Sequence, residues 1–325
     1  MFDFVGKRYW FFLLSALVIV PGVISLAIVH LKPGVDFKSG TSITVGFDES
    51  VTVSEDDLRN EMSDLGYTDS LVQSIKRPSD QNPLNLKWFY VTIPDTMDNT
   101  SDEQRITNDM ENRFGYTFPD GGQPEYQVMS PMVASETARN AAIAVGVAAV
   151  GILLYITFAF RKMPNPFRWG TCAIIALLHD ILVVTGIFSI LGWAAGVKVD
   201  VMFITGMLTV AGYSVHDTIV VFDRIRENMS KHVAPDFEQT VNVSIVQTLT
   251  RSLNTSLTVA LVLLTLLLLV GGTIHNFTIV LLIGVITGTY SSVCNASQLL
   301  IVWENGEWKR LFSWLPFRRK PNPQT

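Results

Sequence analysis

The sequence is poor in charge, cysteine and histidine. Of its 325 residues, 16% are Asp, Glu, Lys or Arg, two are Cys and five are His. Soluble globular chains carry about a quarter of their residues as charges, so a single soluble domain is excluded. Cys172 and Cys294 both lie in apolar runs, which rules against a disulfide scaffold or a zinc site and reads as two small buried side chains. No basic stripe interleaves with aromatics, so nucleic acid is not an expected partner. Nucleophile–base pairs, phosphate loops and metal clusters are likewise missing, and the sequence supports neither an enzyme nor a cofactor.

What charge there is falls unevenly. Residues 31–137 hold 19 acids and eight bases, a net charge of −11, while the remaining 218 residues hold ten acids and 16 bases. Between those charges run six apolar segments long enough to cross a hydrocarbon core, which needs about 20 helical residues. They are Tyr9–Val29, Ala141–Phe160, Trp169–Leu191, Val201–Phe222, Leu253–Val270 and Phe277–Ile301. Lys7 and Arg8 precede the first, as in a signal peptide, but the run is long for one and no A-x-A site comes after it. An uncleaved anchor is expected.

Lys and Arg in the short loops set the orientation. The N-terminus has Lys7 and Arg8, the second loop Arg161, Lys162 and Arg168, and the fourth Arg224, Arg226, Lys231 and Arg251. The tail adds Lys309, Arg310, Arg318, Arg319 and Lys320, with Trp303, Trp308, Trp314 and Phe317 as interfacial anchors. On the other side stand Lys198 alone and the uncharged loop Gly271–Asn276. A multi-pass protein with both termini cytoplasmic and the acidic insert outside is expected. Its divisions are 1–30 (N-terminus and first span), 31–137 (external domain), 138–303 (remaining spans) and 304–325 (basic tail). Within the third, Phe237, Val241, Ile245 and Leu249 recur every four residues, which predicts an amphipathic interfacial helix over 235–252.

Periodicity in the insert switches between two and 3.6. Thr41–Phe47 alternates as a strand, and Ser54, with Asp57 three residues on, opens a helix ending at Gly66. Ser70–Lys76 and Lys87–Ile93 read as strands around a turn at Pro78–Pro83, Ser101 opens a second helix to Phe114, and Glu125–Met129 is a last strand. The order βαββαβ predicts a ferredoxin-like α+β domain. With no His or Cys, its acids read as a solvated surface, and a binding platform is the more natural role than chemistry.

Ionisable side chains inside a span cost about 2.5–3.5 kcal/mol each on insertion scales, so each calls for a reason. Asp217 shares a helical face with Gly206, Val210, Tyr213, Ser214, Val221 and Arg224; Arg251 shares one with Asn254, Thr255 and Thr258. If the fourth and fifth spans are neighbours, Asp217 and Arg251 can meet. Burial then favours the neutral carboxyl and the guanidinium the carboxylate, opposed effects that suit a group gaining and losing a proton. A structural pair fixing helix register fits equally well, and both readings stand. His179 and Asp180, mid-span on an apolar face, read as a neutral hydrogen-bonded carboxyl or a secondary relay with Asn254. His216 reads as packing. Gly284, Gly288, Ser291, Ser292 and Asn295 form a small-residue face for close helix packing, with a wet cavity lining as the second reading.

Several strings resemble a known family. Gly212–Asn228, GYSVHDTIVVFDRIREN, is similar to the fourth-span motif of the SecF family, the membrane subunit of SecDF protein-export complexes. TLTRSLNTSL at Thr248–Leu257 resembles its fifth-span entry, His179–Asp180 its third-span pair, and GVDFKSGT at Gly34–Thr41 its GxDFxGGT motif, with Ser39 where the first Gly of the pair stands. A glycine there implies a turn with positive φ, in which Ser39 is strained or the turn differs.

The resemblance implies the resistance-nodulation-division superfamily and six spans with an external domain after the first. It implies the partners SecD, the SecYEG channel and the translocating preprotein, in the cytoplasmic (inner) membrane. It also implies use of the proton or sodium gradient in late preprotein export, with Asp217 and Arg251 in the ion-coupling roles. Two other functions remain open: a half-transporter of the superfamily exporting a lipid or small molecule, and a non-conducting scaffold.

Overall fold

The computed structural model describes residues 2–48, 51–75, 86–97, 100–114, 124–269 and 274–307. The expected turn at Pro78–Pro83, residues 271–273 of the 271–276 loop and the tail from Trp308 onward lie outside them. In chain order the elements begin with α1 (Arg8–Ile28), the one-turn α2 (Val35–Lys38), β1 (Gly40–Phe47), α3 (Glu55–Asp64), β2 (Leu71–Ile75) and β3 (Lys87–Ile93). Next come α4 (Thr100–Phe114), β4 (Glu125–Met129), α5 (Pro131–Ala159), α6 (Pro166–Ala195), α7 (Val201–Ser230) and α8 (Phe237–Leu269). Helix α9 (His275–Ser291), a π-helical turn (Ser292–Ala296) and α10 (Ser297–Glu304) close the described chain. Among these residues six helical segments are long and apolar enough to cross a membrane: α1, α5, α6, α7, α8, and α9 through α10 taken together.

The fifth span departs from the sequence expectation. Rather than a separate interfacial helix over 235–252, α8 runs unbroken from Phe237 to Leu269. Between Pro235 and Gly271 there is neither Pro nor Gly, so nothing in the backbone ends the helix at Ser252. Its 33 residues extend about 50 Å, against roughly 30 Å of hydrocarbon. The amphipathic first half therefore projects past the core. Its stripe does not face a bilayer surface: Val241 and Ile245 are fully buried, and Phe237 and Leu249 pack on the same cluster, with Phe222 and Ile225 of α7. Asn228 seals the contact by donating to Ser244 Oγ at 2.9 Å.

The domain between α1 and α5 has the expected split-βαβ topology. Its sheet runs in the order β2-β3-β1-β4, and all three pairings are antiparallel. β1 is central, pairing Thr41 with Ile93 on one side and with Val128 on the other. Ser54 and Asp57 form a reciprocal capping box that starts α3. Ile43, Val45 and Phe47 of β1 bury against Leu58 and Met62 of α3 and Ile106 and Met110 of α4. One acid departs from the solvated-surface expectation: Glu61 of α3 is fully buried and paired with Arg113 of α4, which also donates to Asp64 at 3.0 Å. It lies on the same stripe as Leu58 and Met62, so helical periodicity carries it inward.

Candidate functional site

The site lies where α6, α7, α8 and α9 converge. Small residues decide how close they come. A Cβ on Gly284 of α9 would stand 2.0 Å from Val210 Cγ2 of α7, so only glycine permits this approach. One turn on, Gly288 faces Ser214. The expected packing face is thus the α7–α9 contact, and it brings the serines at its end against two carboxyls.

Asp180 of α6 is completely buried. Its Oδ2 accepts from Ser214 of α7 at 2.5 Å and from Ser291 of α9 at 2.7 Å, and its Oδ1 lies 3.0 Å from His179 Nδ1. Asp217 of α7 is buried as well. Its Oδ1 accepts from Ser252 of α8 at 2.6 Å, and its Oδ2 accepts from Ser292. Consecutive serines thus serve carboxyls on two different helices. Ser292 opens the π turn, whose wider backbone leaves its carbonyl to accept from Ser297 Oγ at 2.9 Å. Such turns recur at functional sites.

The network extends to α1. His179 Nε2 lies 3.1 Å from Ser15 Oγ, which donates to Asn295 Oδ1 at 3.0 Å. The amide nitrogen of Asn295 and both amide atoms of Gln298 are buried without a hydrogen-bond partner, and Gln298 is fully enclosed. A group presenting an unpaired donor beside an unpaired acceptor suits ordered water, which does both.

Four hydroxyls thus face two carboxyls, and no Lys or Arg ion-pairs with either among the described residues. A hydroxyl donates to a carboxylate and, by rotating, accepts from a carboxylic acid. The arrangement therefore offers hydrogen-bond partners to either form of a carboxyl. Among the described residues no cluster of His, Cys, Asp and Glu has the grouping of a metal site.

The sequence-named residues separate accordingly. Asp217, Asp180 and His179 are interior; Arg251 and Asn254 are exposed on α8, and His216 is exposed on α7 instead of packed. No ion pair joins Asp217 to Arg251. The reason is angular: Ser252 faces Asp217, and its neighbour on the helix points about 100° away. Asp180 has more partners than Asp217, because donors reach it from α7 and α9, beyond the apolar face of its own helix. Ser252, Ser291 and Ser292 belong to the site without being singled out for it by the sequence. A signal exists nonetheless, since Ser214 precedes Asp217 by one turn and Ser291–Ser292 ends the glycine stripe.

Six spans, a split-βαβ domain after the first, and buried acids met by hydroxyls define a class of polytopic membrane protein built around intramembrane carboxyls. Comparisons with known proteins narrow it. Residues 110–306 match the family described as "Protein export membrane protein SecD/SecF, C-terminal", and residues 24–51 match the SecD/SecF GG motif. The chain is 44% identical over 313 residues to protein translocase subunit SecF of Thermobaculum terrenum, covering 96% of this chain and 97% of that one. It is 36% identical to protein translocase subunit SecDF of Bacillus subtilis, covering 95% of this chain and 39% of that one. A crystal structure of SecDF from Thermus thermophilus superposes with a TM-score of 0.79 at 28% identity, over 94% of this chain and 39% of the other. The chain belongs to the SecD/SecF protein-export membrane family, a non-enzymatic component of protein translocation.

Proposed function

We propose that this chain works with a SecD subunit at the SecYEG channel, in the cytoplasmic membrane with both termini inside, using the proton or sodium gradient to assist late export of preproteins. SecD as a partner draws support from relatives that fuse both parts in one chain named SecDF. The observation that carries the ion-coupling role is the setting of Asp217, buried and bonded only to hydroxyls of α8 and the π turn. One elementary charge crossing 100 mV releases about 2.3 kcal/mol, enough to bias a two-state equilibrium nearly fifty-fold.

Arg251 takes its part from outside this chain's core. It sits at the depth of Asp217, because its neighbour Ser252 touches that carboxyl. A guanidinium left in lipid there costs about 2.5–3.5 kcal/mol. Thr205, Thr209 and His216 are exposed on α7, and Asn254 and Thr258 on α8, two polar stripes on neighbouring helices. SecD covers that face and supplies the counter-charge to Arg251. Protonation of Asp217 replaces charge-assisted bonds from Ser252 and Ser292 with weaker neutral ones and lets α7 shift, and the shift reaches the external domain that handles the emerging chain.

The test is ion flux and gradient-stimulated export in vesicles holding the complex with SecD and the channel. Asp217→Asn abolishes both. Unchanged flux and export contradict the proposal.

A further inference from the structure

The external domain joins the bundle covalently through the segment after α1 and through β4 into α5. Neither connection belongs to α7, which carries Asp217. A non-covalent link nevertheless ties the first of them to the start of α7. Val199 N–H donates to Lys32 O at 2.8 Å, Gly34 N–H donates to Val199 O at 2.7 Å, and Pro33 pairs with Val199 as a parallel bridge. Two residues further, Val201 N–H, the first of α7, donates to Asp36 Oδ2 at 3.0 Å. Asp200 occupies the other capping position, accepting from Phe203 N–H at 2.8 Å. Helix α7 thus begins on two carboxylates, one its own and one from the domain linker, where the helix dipole favours negative charge.

The backbone beyond Asp36 transmits motion rather than absorbing it. Lys38 ends the single turn of α2, Ser39 has φ 71° and ψ 168°, and Gly40 has φ 132°. A Cβ on Gly40 would stand 2.4 Å from Ile93 O, so that backbone is locked against β3. Gly40 opens β1, the central strand, paired on both sides. At the other end α7 runs without proline from Val201 to Asp217, about 24 Å of continuous helix. Leu31 and Phe37 of the linker pack on the apolar cluster that holds Phe203 and Met207, and the directed side-chain bond from the linker to the first residue of α7 is the one Asp36 accepts from Val201.

We infer that Asp36 is a positioning residue that couples movement of α7 to the external domain, so that losing its bond to Val201 separates ion flow from export. This rests on the ion-coupling role proposed for Asp217. Asp36 touches neither buried carboxyl, so it sets the yield of the coupling and leaves the flux alone.

The experiment measures flux and gradient-stimulated export side by side in the reconstituted complex with SecD and the channel. Asp36→Ala keeps flux within about twofold while export stimulation falls about tenfold, the scale of a typical coupling between sites. Asp36→Asn keeps an acceptor oxygen and restores most of the stimulation. Val201→Pro attacks the bond from its other end: it removes the N–H at a first helical position that tolerates proline, after an Asp200 whose ψ of −177° suits a succeeding proline. It reproduces Asp36→Ala. Wild-type export in both Asp36→Ala and Val201→Pro overturns the inference, as does loss of flux in step with export. If Asp217→Asn leaves flux and export untouched, the ion-coupling role fails and the role of Asp36 falls with it. If Asp217→Asn abolishes both while the two junction variants export normally, only the role of Asp36 fails.

Discussion

The two regions of the molecule hold their buried acids by opposite means. In the external domain Glu61 is met by a guanidinium: Arg113 pairs with it and with Asp64. Burial pushes the Glu61 carboxyl up to about 7, with the neighbouring Asp109 carboxyl adding and Arg113 opposing. In the bundle, Asp180 and Asp217 meet serine hydroxyls and one imidazole. A cation beside a carboxylate favours its charged form, here against the larger effect of burial, whereas a hydroxyl rotor can bond either form. The difference is between an acid that ties two helices together through an ion pair and acids bonded by neutral groups from several helices.

The contrast is most severely tested by driving the bundle apart. Gly284→Val places side-chain atoms where Val210 already stands, and overpacking of this kind costs about 3 kcal/mol. Because Ser291 and Ser292 come next on the same helix, both carboxyls lose donors together. Thermal melting of the detergent-solubilised complex with SecD falls sharply, and an unshifted melt contradicts the close-packing account.

Ser214→Ala is milder. It removes one of three partners from a fully buried carboxyl and destabilises by about 1–3 kcal/mol. Ser214→Thr keeps the hydroxyl and recovers part of the loss, so equal melts for Ala and wild type show that the bond contributes nothing.

At the junction of the two regions the sign reverses. Ser39 occupies a φ/ψ region that is essentially reserved for glycine, at a cost on the order of 1 kcal/mol. Ser39→Gly raises the melting temperature of the full chain, and a lower one shows that this backbone is not strained.

The smallest effect sharpens the external half of the comparison. Glu61 ionises at about 7 in the folded chain, against 4.5 for the free group. The folded state therefore binds the extra proton between those values, and its stability falls as pH rises from about 4.5 to about 7, then levels. Hydrogen exchange in α3 and α4 quickens over that window and loses the dependence in Glu61→Gln. A rate that slows with rising pH, after correction for intrinsic exchange, gives the wrong sign.

Much of the fold is legible from residue order because apolar periodicity reports burial directly. Thr41–Phe47 reads as a strand and is β1, Ser54 with Asp57 reads as a helix start and is a capping box, and all six apolar runs lie in spanning segments. The features that escape the sequence depend on neighbours. Asp180 looks poorly partnered on its own helix because its donors come from Ser214 and Ser291, 34 and 111 residues away. Arg251 looks like the partner of Asp217 because its depth is right, but depth does not fix azimuth, and Ser252 takes the inward position. Hydropathy changes at Ser252, whereas a helix ends where its backbone is interrupted, and here nothing interrupts it before Leu269. Asp36 stands in a motif that by itself gives it no role, since its partner Val201 is 165 residues distant.

Ion coupling as proposed requires Asp217 to change protonation inside the bundle. Infrared difference spectroscopy on the complex with SecD, stepped in pH within oriented membranes, reads that event as a protonated-carboxyl band. A band is expected that appears on acidification, shifts in Ser252→Ala or Ser292→Ala, and vanishes in Asp217→Asn. A band unchanged by Asp217→Asn contradicts it.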